Sequence, residues 1–298
     1  MSDALRRFAG NRIAMAGLVL ITVIVGAALS APLLAPFDPN EQFFEGLTLE
    51  GAPLPPNGTF WLGTDQLGRD LLSRLIYGAR TSLVVGVLAN GVAVLVGTLL
   101  GVVAGYARGV VGAAIMRFTD LMMAFPALLL AIALAAIFSP SLLIVALVIA
   151  MVNWVQIARV IYTETTALAE RDYIEACRAL GAGWPRILFR HIVPHLVPTV
   201  LVYATLGIAT TVLLEATLSF LGIGVRPPEP SWGNIIYENQ TYFANAPWLV
   251  FIPGAAILLL VMATVPSHSA WMAVLPIACM AVVGTWLWLR PEPTPREP

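Results

Sequence analysis

The stretch RDYIEACRALGAGWPRILFRHIVPH, residues 171–195, decides how this chain is read, because apolar runs long enough to cross a bilayer lie on both sides of it. It carries Arg171, Arg178, Arg186 and Arg190, a Gly181-Ala182-Gly183 break, and Pro185 and Pro194. An arginine at the centre of a membrane helix costs about 2.5–3.5 kcal/mol, so a segment with four of them belongs in water. The preceding helix is expected to run on from about Thr163 to Leu180. Gly181-Ala182-Gly183 then permits a sharp turn, and Pro185 suits the first position of a second short helix. Pro194 and Pro198 are expected to close that helix before the next span. The resulting helix-turn-helix bracket would project from the membrane and offer Glu175, Arg178, Arg186 and Arg190 to a partner. On composition alone, the plainer reading is a solvated loop between spans.

The rest of the chain supplies the membrane. Of 298 residues, 59% are apolar and 11% charged, against roughly 45–50% and 25% in a soluble domain. This indicates an all-α polytopic membrane protein. Apolar runs fall at 13–35, 83–106, 119–138, 141–158, 197–221 and 248–265, each near the ~20 residues a hydrocarbon core requires. The third and fourth are separated only by Ser139-Pro140, which predicts a tight antiparallel hairpin. Arg6, Arg7 and Arg12 before the first run, with Ala28-Leu29-Ser30 inside it, imitate a secretory signal. The run 13–35 exceeds the 7–15 apolar residues of such a signal, however, so a retained span is expected.

Arginine placement sets the expected orientation, because loops left in the cytoplasm are enriched in basic residues. With residues 1–12 as a cytoplasmic N-terminus, Arg6, Arg7, Arg12, Arg108, Arg117, Arg159, Arg171, Arg178, Arg186 and Arg190 fall inside. Only Arg69, Arg74, Arg80 and Arg226 fall outside. Residues 36–82 then form an outer loop and an interfacial helix, and 83–265 a core of five spans whose cytoplasmic loop is 159–196. The interfacial helix is expected to start at an N-cap on Thr64 or Asp65. Asp65 with Arg69 and Asp70 with Arg74 would support it at i,i+4, with Leu71, Leu72, Leu75 and Ile76 as its apolar stripe. Gly97, Gly101 and Gly105, four residues apart, mark a face for close helix packing.

Several chemistries are excluded or disfavoured. All sixteen basic residues are arginine, so the chain has neither a phosphate-binding loop lysine nor a Schiff-base lysine. If ATP drives this protein, another chain binds it. A net charge of −1 gives no reason to expect nucleic acid. Cys177 and Cys279 have no metal or disulfide spacing. His191 and His195 stand at i,i+4, but no glutamate follows the first and Pro194 intervenes, so no metal is expected. Ser219 has no neighbouring histidine, which leaves no basis for a serine hydrolase. Polar residues inside spans are candidates for a translocation path: Asn90, Asn153, the adjacent Trp154, Gln156 and Glu215. Against this stand helix-to-helix hydrogen bonding for Asn90, Asn153 and Gln156, and a headgroup-facing position for Glu215.

The segment EACRALG, with Pro194 thirteen positions after Gly181, resembles the loop of permease subunits in bacterial ABC importers that docks on a cytoplasmic ATPase. The match lies at Glu175, Ala176, Gly181 and Pro194, and departs at Cys177, His191 and Val193. FWLGTDQLGRDLLSRLIYGARTSL (60–83), RFTDLMMAFPALLLAI (117–132) and EATLSFLGIGVRPPEPSWGNII (215–236) are similar to the C-type permease subunits of dipeptide and oligopeptide importers. The resemblance implies a type I ABC importer permease fold with six core spans in the bacterial cytoplasmic membrane. It implies a non-catalytic subunit without a cofactor of its own, with ATP and Mg on two partner ATPases. A homologous B-type permease and an extracytoplasmic substrate-binding protein complete the implied assembly. A channel or secondary transporter would instead need ion-coupling residues inside spans, or symmetric broken helices; only Glu215 stands well inside a run. Residues 266–298 depart from the family, which usually ends in a short polar tail. Trp271 to Leu289 is apolar enough for a seventh span with Trp271, Trp286 and Trp288 as anchors, while Pro276 and Gly284 suit a re-entrant or surface-lying segment.

Overall fold

The computed structural model describes residues 10–107, 109–138 and 141–264. The expected seventh span at 271–289, the Ser139-Pro140 turn and Cys279 lie outside the described residues. Within them the chain forms α1 (Arg12–Leu29), α2 (Leu71–Ala107), α3 (Gly109–Met123), α4 (Ala127–Ile137) and α5 (Leu142–Ala169). There follow α6 (Asp172–Ala179), α7 (Trp184–Phe220), α8 (Trp232–Asn239) and α9 (Trp248–Thr264). Three of them, α2, α5 and α7, are long and apolar enough to cross a membrane; α3 with α4 is a fourth crossing if the bent pair is one span. The shorter apolar helices, Ala14–Leu29 within α1 and α9, flank this group.

Helices α2 and α5 form the centre. A hydrophobic effect cannot drive association between helices in lipid, so close packing of small residues must do so, and here the glycine stripe performs that role. A Cβ on Gly97 would stand 2.7 Å from the Trp154 carbonyl oxygen, one on Gly101 2.7 Å from the Ala158 oxygen, and one on Gly105 2.7 Å from Thr165 Cβ. The stripe therefore presses α2 directly on α5, and the two run in the same direction. Helix α7 returns antiparallel to them, from a basic end carrying residues 171–195 to a far end carrying the 36–70 loop and α8. Ile21, Leu83, Val212, Trp232 and Leu260 join α1, α2, α7, α8 and α9 in one buried cluster.

Several elements differ from expectation. The interfacial helix and the second span are one 37-residue helix beginning at Leu71, roughly 55 Å long. Asp70, not Thr64 or Asp65, caps its start: Asp70 Oδ2 accepts from the Ser73 backbone N–H at 2.7 Å. Residues 65–69 instead form a turn, with Gly68 at φ +73°. The run 119–138 is two helices meeting at 89° across Ala124-Phe125-Pro126, because Pro126 supplies no N–H and biases the preceding residue away from helix. Helix α5 stops at Ala169 instead of continuing to Leu180. Pro194 and Pro198 do not close a helix. The chain runs helically through both to Phe220, and a π-helical stretch at Leu188–Ile192 widens the ladder just before Pro194, which accommodates the missing donor.

Candidate functional site: the basic loop and the polar clusters of the bundle

At the basic end, α6 and the start of α7 form the expected bracket. The turn between them depends on Gly181, whose φ of +80° favours glycine. The Ala182 N–H closes it by donating to the Cys177 carbonyl at 3.0 Å. Ile174, Ile187 and Ile192 point inward and are fully buried in a cluster with Ile161 and Ala169 of α5. Where this end leaves the bilayer, each such side chain contributes about 1.5–3 kcal/mol, so the bracket is fixed to the ends of α5 and α7. Its other face is open. Glu175, Ala176, Arg178, Gly181, Arg186, Arg190 and Pro194 are exposed, and so are Leu180 at 87%, Trp184 at 64% and Phe189 at 69%. The Arg178 guanidinium lies 5.6 Å from the centre of the Tyr106 ring, which ties α6 to the end of α2. An aromatic and aliphatic patch rimmed by one acid and three arginines has the composition of an interface core with a polar rim.

The polar candidates inside the bundle are not gathered in one place. Asn90, 3% exposed, donates from Nδ2 to the carbonyls of Tyr203 (3.3 Å) and Ala204 (2.7 Å), bridging α2 and α7. Asn153 Nδ2 donates to Thr211 Oγ1 at 3.2 Å, between α5 and α7. Trp154 is buried and stacked on Phe118 of α3, ring centres 6.0 Å apart. Gln156 is exposed. Glu215 does not face a headgroup region: it is fully buried. Its Oε1 accepts from Ser219 Oγ at 2.7 Å and its Oε2 from Ser82 Oγ at 3.0 Å. The same serine oxygens accept backbone N–H groups, Ser82 from Trp232 at 3.3 Å and Ser219 from Val225 at 3.1 Å. Glu215 thereby holds the 221–231 loop and the start of α8 against α2 and α7.

Two charged groupings escaped sequence reasoning. At the far end, Asp65, Arg69, Arg74 and Glu238 close a ring: Arg69 Nε to Asp65 Oδ2 at 2.6 Å, Arg69 Nη2 to Glu238 Oε2 at 2.8 Å, Arg74 Nη2 to Glu238 Oε2 at 2.7 Å, and Arg74 Nε to Asp65 Oδ2 at 3.3 Å. The Asp65–Arg69 spacing was visible in the sequence. The participation of Glu238, 164 residues beyond Arg74, was not. The second grouping is Asp120 of α3 paired with Arg159 of α5. An acid inside the apolar run 119–138 was the available signal.

Comparison with known proteins agrees with this architecture. Residues 97–287 match the model of the family described as binding-protein-dependent transport system inner membrane component, and residues 1–56 that of the N-terminal TM domain of oligopeptide transport permease C. The chain is 42% identical over 261 residues to the di/tripeptide transport system permease protein DppC of Pseudomonas aeruginosa, covering 86% of this chain and 85% of that protein. It is 37% identical over 258 residues to the glutathione transport system permease protein GsiD of Pectobacterium atrosepticum (87% and 84% covered). To the oligopeptide transport system permease protein OppC of Bacillus subtilis it is 34% identical over 255 residues (86% and 82%). Among solved structures, a chain of the inward-facing MetNI methionine ABC transporter superposes with a TM-score of 0.54 at 19% identity, covering 72% of this chain and 97% of that one.

Proposed function

Since this chain belongs to the binding-protein-dependent transport system inner membrane component family, we propose that it is the transmembrane permease of an ATP-driven importer that carries dipeptides, oligopeptides or similar small solutes across the bacterial cytoplasmic membrane. The bracket at 171–195 is the coupling element, with Glu175, Ala176, Arg178, Gly181, Arg186 and Pro194 at or beside the contact with a cytoplasmic ATPase. The carrying observation is the contrast between its two faces: Ile174, Ile187 and Ile192 are locked into the bundle while Leu180, Trp184 and Phe189 stand in the open. A push on the exposed face is transmitted through the buried one to α5 and α7 as rigid bodies.

The remaining partners follow from this reading. Two ATPases bind ATP and Mg, a homologous B-type permease completes the path, and an extracytoplasmic binding protein delivers cargo to the far end around 222–247. The basic end and the N-terminus are cytoplasmic, in keeping with the arginine distribution. Asn153 and Trp154 back the wall of the path on α5, and Asn90 and Glu215 hold the helices that frame it. The chain itself performs no hydrolysis. A secondary transporter is disfavoured because Glu215 is enclosed by serines that bind it to the scaffold.

The test is purification of the tagged chain from its native membrane beside Glu175→Arg and Trp184→Ala variants, with bound ATPase and ATP turnover measured. The variants are expected to retain the membrane partner and lose at least tenfold of the associated ATPase. Wild-type protein that transports cargo without any ATPase, unaffected by either change, would overturn the proposal.

A further inference from the structure

Asp120 stands in the last turn of α3 and Arg159 in the second half of α5, and Arg159 Nη2 donates to Asp120 Oδ1. Each lies ten or eleven residues, roughly 15 Å, from the basic end of its helix. Their side chains are 40% and 41% exposed, unlike the arginines of the far-end ring at 0% and 4%. Protein encloses this pair far less than it encloses that ring, which leaves space beside both charges. Arg159 begins the expected cytoplasmic loop and Asp120 lies one residue inside the run 119–138, so the pair stands on the basic side of the bundle, and ionisable residues facing a cavity in a membrane protein mark pathways by default.

The chain breaks beside this pair. Helix α3 ends at Met123, and α4 leaves at 89° from Pro126. The Ala124 N–H donates to the Asp120 and Leu121 carbonyls and the Phe125 N–H to that of Met122, so the last turn of α3 is closed, and the negative end of its dipole points into the gap. Irregular backbone at membrane depth persists only within protein or beside a water-filled cavity. Residues 123–127 are exposed, and a cavity of ≈ 240 Å³ lies against them, lined by Met122, Met123, Phe125, Leu130, Val155 and Gln156. Arg159 Nη2 stands 4.0 Å from the Met123 sulfur, which joins the ion pair to the cavity wall.

The cavity wall supplies a side-chain amide and flexible thioethers that adapt to varied side chains, and at its edge, beyond Met123, the ion pair supplies a carboxylate for a cation and a guanidinium for an anion. A cation alone would leave Arg159 unpaired, and an apolar solute would use neither charge. Resting on the importer reading above, we propose that this cleft is a cargo subsite for a short zwitterionic peptide. Asp120 and the end of α3 receive its ammonium group and Arg159 its carboxylate. The two side chains bond each other when the cleft is empty. The exchange of one internal ion pair for two pairs with cargo leaves the net charge of the cleft unchanged.

The experiment uses the full transporter, purified with its partner permease, ATPases and binding protein and reconstituted in liposomes. ATP-driven uptake of labelled Ala-Ala is measured, together with photolabelling by alanyl-photoleucine with free termini. In the wild type, label is expected on residues 120–126 and 156–159. Asp120→Asn and Arg159→Gln are each expected to lower uptake and that labelling at least tenfold, with subunit assembly and cargo-free ATP hydrolysis within twofold of wild type. The charge-exchanged double variant Asp120→Arg/Arg159→Asp is expected to stay low, since reversed charges do not suit cargo held in a fixed direction. Its recovery to within twofold of wild type would show a merely structural pair and overturn the proposal. Wild-type label confined to other segments, with uptake intact, would do the same. An assembled wild-type complex with no ATP-dependent peptide uptake would overturn the peptide-importer reading itself, and this subsite with it.

Discussion

At the far end of the bundle, Asp65, Arg69, Arg74 and Glu238 are almost completely shielded and spend their charges on one another. At the basic end, Glu175, Arg186 and Arg190 stand in the open beside Leu180, Trp184 and Phe189. Similar residue types are thus used in opposite ways. The far end closes on itself: its ring joins the 36–70 loop, the start of α2 and α8, and Arg74 Nη1 adds a bond to the Pro39 carbonyl at 3.3 Å. The basic end leaves its polar and apolar groups without such closure, and on the coupling reading proposed above they serve a partner. Charge buried with its partners belongs to architecture, whereas charge displayed around apolar surface is what the proposed docking would use.

Substitutions at the two ends should separate these roles most clearly at Arg74. Arg74→Met leaves Glu238 and Asp65 short of a buried counter-charge, a loss of about 3–5 kcal/mol. The expected outcome is a sharp fall in the melting temperature of the detergent-solubilised complex, followed by intrinsic tryptophan fluorescence. An unchanged melting temperature would mean that the ring contributes nothing to closure. A smaller effect is expected from Gly101→Leu in the middle of the bundle, where the new side chain meets the Ala158 carbonyl and Ile161. Overpacking of this kind costs about 1–3 kcal/mol, and disulfide trapping between cysteines placed on α2 and α5 should slow as the helices separate. The smallest effect on stability belongs to Leu180→Asn on the bracket: within about 0.5 kcal/mol in the same melting assay, yet with ATPase association reduced. Destabilisation by several kcal/mol there would erase the distinction between the two ends.

The sequence showed some of this directly. The bracket was legible because its arginines and glycines interrupt apolar runs, and Gly181 does adopt the left-handed turn its position suggested. The Gly97, Gly101, Gly105 face was legible because four-residue spacing needs only the helical repeat. The bend at Phe125-Pro126 was present as a proline signal inside the run 119–138, masked by the apolar character of both halves. Asn90 and Asn153 could be named as polar residues in spans, but the carbonyls and hydroxyl they bind belong to α7, a helix remote in sequence from both.

Composition and spacing alone therefore determined that the chain is a helical membrane protein, that a basic, glycine-broken segment interrupts its apolar runs, and that it carries no phosphate-binding loop lysine. These are one-dimensional properties, set by runs of about twenty residues or by the absence of lysine. Only the tertiary structure decided which charges are closed and which are open. The ring of Arg74 with Glu238 and the pair of Arg159 with Asp120 depend on contacts between residues 164 and 39 positions apart. Whether such groups cancel each other or stay open is fixed by the distance and shielding that helix packing imposes.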